Sequence, residues 1–152
     1  ANGLLSQLEP VEVSDHSLPG RISGRGVLLA RFGRGDEGLV VAVAHLSLGA
    51  NSRRAQLGFI AELLEDHPHA VLMGDFNCVP DRPEMDLLYS RTHLRPPAFC
   101  VPTFPSWGPK RAIDHILLSE SLKSVDARAI PAAFSDHLAL ALSIDVPQIA
   151  LR

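Results

Sequence analysis

Several things are scarce in this chain, and each scarcity excludes something. No apolar run approaches the 18 or more residues of a membrane helix, so no spanning helix is expected. No charged segment followed by an apolar core reads as a signal peptide. The chain opens on Ala1 rather than Met, and its natural start is expected upstream. There are two cysteines, Cys78 and Cys100, and they form no CxxC pair. That argues against a structural zinc site and leaves no deducible disulfide. Two reduced thiols in a cytoplasmic protein are the expectation. Positive charge is not in excess: the net charge is -3, against a nucleic-acid binder held by charge alone. A local basic cleft, as in a nuclease, remains compatible with that balance. Lysine is nearly absent, since 12 of the 14 basic residues are Arg. Arginine suits bidentate phosphate contacts, and a compositional bias of the source explains the same count. Neither repeats nor low-complexity tracts occur.

What remains is an ordinary globular composition. The 152 residues are 46% hydrophobic and 20% charged, enough for one domain with a core. Residues 1–23 are broken by Pro10, Pro19 and Gly20. Val27 to Phe32 and Leu39 to Leu46 read as buried strands joined by the turn-rich segment 33–38. Leu57, Ile60, Ala61 and Leu64 recur at helical spacing within a helix from about Arg53 to Asp66, with Asn51 or Ser52 as its cap and Pro68 beyond its end. His67-Pro68-His69 lies where a polar turn is needed. Val71 to Gly74 is a short strand. Pro83 to Ser90 is a second helix, with proline in its first turn. Residues 92–112 form a long proline-rich loop. Ile113 to Leu118, Ser124 to Ile130 and Leu138 to Ile144 complete the order β-β-α-β-α-β-β-β. This predicts an α/β (α+β) fold, mainly one mixed sheet with helices on one face.

The chemistry-bearing residues collect at strand ends. Asp75 and Asn77 follow the apolar run Ala70-Val71-Leu72, where ligand-facing groups gather in α/β folds. Period-two alternation points both the same way, with Phe76 into the core. The carboxylate can hold or deprotonate a water, and the amide can donate to a phosphate oxygen. An Asx turn is the plainer use of such residues. Asp136 and His137 precede a strand and offer a hard oxygen ligand for Mg²⁺ or Mn²⁺ and an imidazole. Ser14-Asp15-His16 repeats that tripeptide but leads into a turn, and reads as a surface coincidence. Asp114 stands within an apolar strand, a costly position for an unpaired charge. His137 is its natural partner, while His115 faces the other side as a surface or interlayer residue. His45 ends a strand and is expected to contact phosphate or donate a proton. Arg53 and Gln56 orient the His45 loop. Lys110 and Arg111 are phosphate contacts or members of a solvated loop. Trp107 stacks on a substrate base or fills the core beneath its loop.

Taken in order, His45-Leu46-Ser47 with Arg53 and Gln56, Gly74-Asp75-Phe76-Asn77, Thr103-Phe104-Pro105-Ser106-Trp107, Arg111 with Ile113-Asp114-His115-Ile116, and Ser135-Asp136-His137 resemble the endonuclease/exonuclease/phosphatase family of DNase I-like phosphoesterases. The resemblance implies a four-layer sandwich of two facing sheets with helices outside. It implies metal-assisted in-line hydrolysis of a phosphoester. Asp75 would activate water, Asn77 would bind phosphate, Asp136 would help hold Mg²⁺ or Mn²⁺, and His137 would contact phosphate, buttressed by Asp114. His45 would be the second imidazole. The family's usual Asn and Glu metal ligands have no counterpart here. Residues 1–152 are therefore expected to be an incomplete domain lacking the N-terminal segment, with an open sheet face that the missing half or a second copy covers. The expected substrate is a phosphoester, nucleic acid included. The alternative is a truncated, catalytically weak half-domain that self-associates through that face.

Overall fold

The computed structural model describes residues 2–21, 23–131 and 133–152. Its centre is a six-stranded mixed sheet with the order β1-β2-β3-β4-β6-β5. The strands are β1 (Glu12–Ser17), β2 (Gly26–Phe32), β3 (Leu39–His45), β4 (Ala70–Asp75), β5 (Leu94–Arg95) and β6 (Asp114–Ser119). Among the described residues only β3 and β4 run parallel. A parallel pair needs a crossover, and helix α1 (Ala50–Leu64) supplies it. Helix α2 (Pro83–Arg91) follows β4. A second, two-stranded sheet joins β7 (Lys123–Ile130) to β8 (Ala139–Asp145), and a 3₁₀ turn (Gln148–Leu151) follows.

Strand β3 is apolar from Leu39 to Ala44 because it is covered on both faces there. On one face Val40, Ala42 and Ala44 pack with Leu57, Ile60 and Leu64 of α1 and Met85 and Leu88 of α2. Each of the large α1 side chains is at most 1% exposed, and burying one contributes about 1.5–3 kcal/mol. On the other face Leu39, Val41, Val71, Ile116 and Leu118 meet Leu122, Ile144, Val146 and Ala150. Both helices thus share one face, and the β7–β8 hairpin lies over part of the other. Arg53 of α1 ion-pairs with Glu84 of α2 at 2.5 Å, both 6% exposed in the side chain. Arg91 closes the far end of the helix pair on Glu65 and Glu62.

Four details correct the sequence reading. β1 and β5 enlarge the sheet by two strands. The segment Ser14-Asp15-His16, expected to stand at the surface ahead of a turn with no strand assigned to it, lies within β1 and pairs with β2; one free edge and polar side chains gave it no apolar signature. The 92–112 segment is less irregular than expected, because it holds β5 and a bridge between Phe104 and Arg111. Helix α1 begins at Ala50, with Gly49 as its cap and no side-chain capping bond, so Asn51 and Ser52 lie inside the helix.

Candidate active site

Strand register builds the site. His45 is the Cα partner of Asp75 across β3 and β4, and Asp75 is the partner of Asp114 across β4 and β6. The loop before β8 adds His137. The result is a row of imidazole, carboxylate, carboxylate, imidazole. His45 Nε2 lies 3.3 Å from Asp75 Oδ2. His137 Nδ1 lies 2.8 Å from Asp114 Oδ2, which also accepts the Thr103 hydroxyl at 2.5 Å.

Local backbone holds each group. Asp75 ends β4, and its Oδ1 accepts the Asn77 N–H at 2.8 Å. Asn77 sits at φ 53, a left-handed conformation that Asn tolerates well. The strand alternation expected to aim Asn77 alongside Asp75 therefore stops before it. Its side-chain amide instead donates to Leu46 O at 2.9 Å. Gly74 has φ 139, and a Cβ there would stand 1.9 Å from Ala44 O. No side chain fits at that point, so β3 and β4 approach closely where they carry His45 and Asp75.

The loop after His45 is pinned from α1. Gln56 accepts the Ser47 N–H and donates to Ser47 Oγ, both at 2.9 Å. Arg53 donates to Ser47 O and Leu48 O. His137 is held between two loops: Ser106 N donates to Asp136 O at 2.7 Å, Leu138 N donates to Thr103 O at 2.8 Å, and Phe104 packs on the His137 ring with centroids 4.9 Å apart.

The two site imidazoles differ in charge preference. Burial and then the charge of Arg25 lower the pKa of His45, outweighing Asp75. Burial acts downward on His137 as well, but its hydrogen bond to Asp114 and the Asp114 charge outweigh this and raise its pKa. His115 is buried on the helix side, its Nε2–H donating to Cys78 O at 2.7 Å. It is an interlayer residue, and burial lowers its pKa.

Asp75, Asp114 and His137 bring ligand atoms within 4.8 Å of one another. Like charges directly opposite on neighbouring strands repel, and a divalent cation relieves that repulsion. Carboxylate oxygens with one imidazole fit Mg²⁺ or Mn²⁺. Asp136 is exposed and its carboxylate lies outside this cluster. Lys110 and Arg111 are exposed, Arg111 standing 5.9 Å from the Phe104 ring centroid. Trp107 is 79% exposed, so it does not fill a core beneath its loop. Sequence reasoning assigned no role to Thr103, although its hydroxyl is a direct partner of Asp114. The only local signal was its place in the motif before Phe104.

The paired carboxylates flanked by imidazoles thus stand at one end of the sheet, where β3, β4 and β6 lie side by side. Residues 1–137 match the Endonuclease/Exonuclease/phosphatase family, and the chain belongs to that family. Among solved structures it is similar to a mannosyl-6-phosphatase of Bacteroides thetaiotaomicron, with 18% identity and a TM-score of 0.74 over 91% of this chain and 67% of that one. It is similar to the human Nocturnin catalytic domain with bound sulfate, with 19% identity and a TM-score of 0.69 over 90% and 59%. D. rerio TDP2 complexed with a single-strand DNA product gives 15% identity and a TM-score of 0.69 over 91% and 68%. At these identities the likeness establishes the DNase I-like fold. The chain spans about two thirds of the length of the first such structures. No curated protein matches it significantly.

Proposed function

We propose that this chain carries the reaction centre of a Mg²⁺- or Mn²⁺-dependent phosphoesterase acting on a phosphodiester or phosphomonoester, nuclease-like in substrate. The observation that carries the reading is the row His45, Asp75, Asp114 and His137, with two carboxylates opposite each other in register. Asp75 and Asp114 would hold the cation, with Asp136 as a further carboxylate at the rim. When bound, the cation neutralises charge developing on the phosphoryl oxygens.

The chain's own residues do the rest. Asp75, fixed by the Asn77 N–H, orients a water and accepts its proton. His137, its Nδ1 committed to Asp114, keeps Nε2 for donation to a phosphate oxygen, and its raised pKa favours the cationic donor. His45, with its lowered pKa, is a neutral imidazole at pH 7 and suits phosphate contact better than proton donation. Trp107, Lys110 and Arg111 supply an aromatic face and positive charge at the rim, a combination that suits single-stranded nucleic acid. Matched relatives include a mannosyl-6-phosphatase and a DNA-product complex, both concerned with phosphoesters.

The test is hydrolysis of bis-p-nitrophenyl phosphate and of plasmid DNA with Mg²⁺, Mn²⁺ or EDTA, comparing wild type with Asp75→Ala. General-base loss costs about 10²–10⁴-fold, so metal-dependent turnover reduced by that factor is expected. Turnover indifferent to EDTA and to Asp75→Ala would overturn the reading. A second reading, a catalytically weak half-domain that self-associates, is favoured by an open apolar concavity lined by Leu4, Leu5, Leu8, Val13 and Leu28. No turnover with any metal, together with a concentration-dependent dimer in sedimentation, would support it.

A further inference from the structure

A cavity lies on the face of β6 turned away from the helices. Alternation along β6 puts Asp114, Ile116 and Leu118 on that face and Leu117 on the helix side. Opposite them β8 presents Leu140 and Leu142, and the segment after β5 closes one side. The enclosed volume is about 160 Å³, walled by Phe99, Ile116, Leu118, Leu122, Leu140 and Leu142. Asp114 forms the end nearest the reaction centre.

The local sequence keeps this space open. In the hairpin register Ala127 stands opposite Leu142 and Ala129 opposite Leu140. Ala127 lines the cavity, and a methyl group is too small to fill it. The register shift between Ser124 and Asp126 marks a bulge in β7, and a bulge bends its strand. Pro96 and Pro97 fix two φ angles in the covering segment, which resists its collapse inward. Phe99 lines the cavity and is still 51% exposed, which puts it at the mouth. Ile116, Leu118, Leu140 and Leu142 are only half-buried, whereas Leu117 on the helix side is fully buried. An apolar group that covers such surface is bound favourably.

The lining dictates the ligand. A cavity of about 150 Å³ walled by Leu, Ile and Phe admits one benzene-sized molecule, so this volume matches a single six-membered ring. The polar groups around it are already engaged. Asp114 Oδ2 accepts from the Thr103 hydroxyl and pairs with His137. Arg95 Nε donates to Glu120 Oε1 at 2.5 Å. Among the described residues no buried side-chain nitrogen or oxygen lacks a partner. A charged ligand would lose hydration there with nothing in return.

We propose that this cavity is a second binding site, beside the reaction centre, for a small uncharged aromatic molecule of one ring. It stands independently of the phosphoesterase reading.

The test is titration of the full chain with benzene, toluene and benzoate, read by calorimetry and by the methyl resonances of Ile116, Leu118, Leu140 and Leu142. Wild type, Ala127→Leu and Leu142→Phe are compared. Toluene and benzene are expected to bind saturably, with Kd on the order of 1 mM, and to shift those methyls first. Benzoate, the same ring with a charge, should bind at least about tenfold more weakly. Ala127→Leu fills the space and should weaken toluene about tenfold or more with no fall in the unfolding midpoint. Leu142→Phe fills it from the other strand and should do the same. The wild-type methyl shifts decide the matter even if a variant fails to fold: shifts that do not saturate, or that fall away from those residues, overturn the proposal. Benzoate binding as tightly as toluene overturns the assigned ligand class. Unchanged toluene affinity in a folded variant overturns the assigned place.

Discussion

Replacing Gly74 with alanine should separate the two strands that carry the site. The cost has two parts. At φ 139 an L residue is strained, which costs about 1–3 kcal/mol. The added Cβ also meets Ala44 O at 1.9 Å, with Ala44 C at 3.0 Å and Ala44 N at 3.2 Å. All three atoms are backbone, so no side chain can swing aside, and overpacking of this kind costs about 1–3 kcal/mol. The sum is about 2–6 kcal/mol, a large part of a typical domain stability of about 5–15 kcal/mol. Gly35 is the control: its φ is 73, but nothing lies within 4 Å of a Cβ there, so Gly35→Ala should cost only the left-handed penalty of about 1–2 kcal/mol. Urea unfolding measures both. With a slope of about 1–3 kcal/mol/M, Gly74→Ala should move the midpoint down by about 1 M or more, and Gly35→Ala by clearly less. Because His45 and Asp75 follow this contact directly, the 3.3 Å His45–Asp75 approach should be lost too. A Gly74→Ala protein within about 0.5 kcal/mol of wild type, or no worse than Gly35→Ala, would refute the close-approach reasoning.

Other perturbations act on single pairs. Arg53→Ala leaves Glu84 buried and uncompensated, and should cost about 3–5 kcal/mol in urea unfolding; a loss under 1 kcal/mol would contradict the helix-bridging role. The buried His115 has a lowered pKa, so its folded form binds fewer protons than the unfolded chain. Its stability contribution is complete above about pH 6.5 and lost as pH falls below that, with a slope of up to about 1.4 kcal/mol per pH unit; His115→Gln should flatten the acid limb of a stability–pH profile. His137 acts in the opposite sense: with a raised pKa its contribution is complete below about 6.5 and lost as pH rises through the folded value. In metal-free protein followed by NMR, Asp114→Asn should lower the His137 pKa, and an unchanged titration would show that the 2.8 Å pair does not set it.

The sequence displayed the central strands because burial on both faces makes them apolar throughout, as in Val40 to Ala44. It hid β1, whose Ser14, Asp15 and His16 have little strand preference and sit on an edge facing water. Asp75, Asp114 and His137 were legible because each is a polar residue at the border of an apolar run. The pairing of Asp114 with His137 was legible too; the placing of Asp75 opposite Asp114 was not, since it depends on β6 inserting beside β4 rather than on any spacing along the chain. Thr103 escaped because its meaning lies in the Asp114 carboxylate that its hydroxyl meets. Asn77 misled because a left-handed residue ends the alternation that a strand would continue.

The most direct test of the carboxylate pair as a cation site is a Mn²⁺ titration of the chain, following free Mn²⁺ by electron paramagnetic resonance. One saturable site, displaced by Mg²⁺ and weakened about tenfold or more in Asp75→Asn and in Asp114→Asn, is the expected result. Absence of saturable binding, or binding unchanged in both variants, would contradict it.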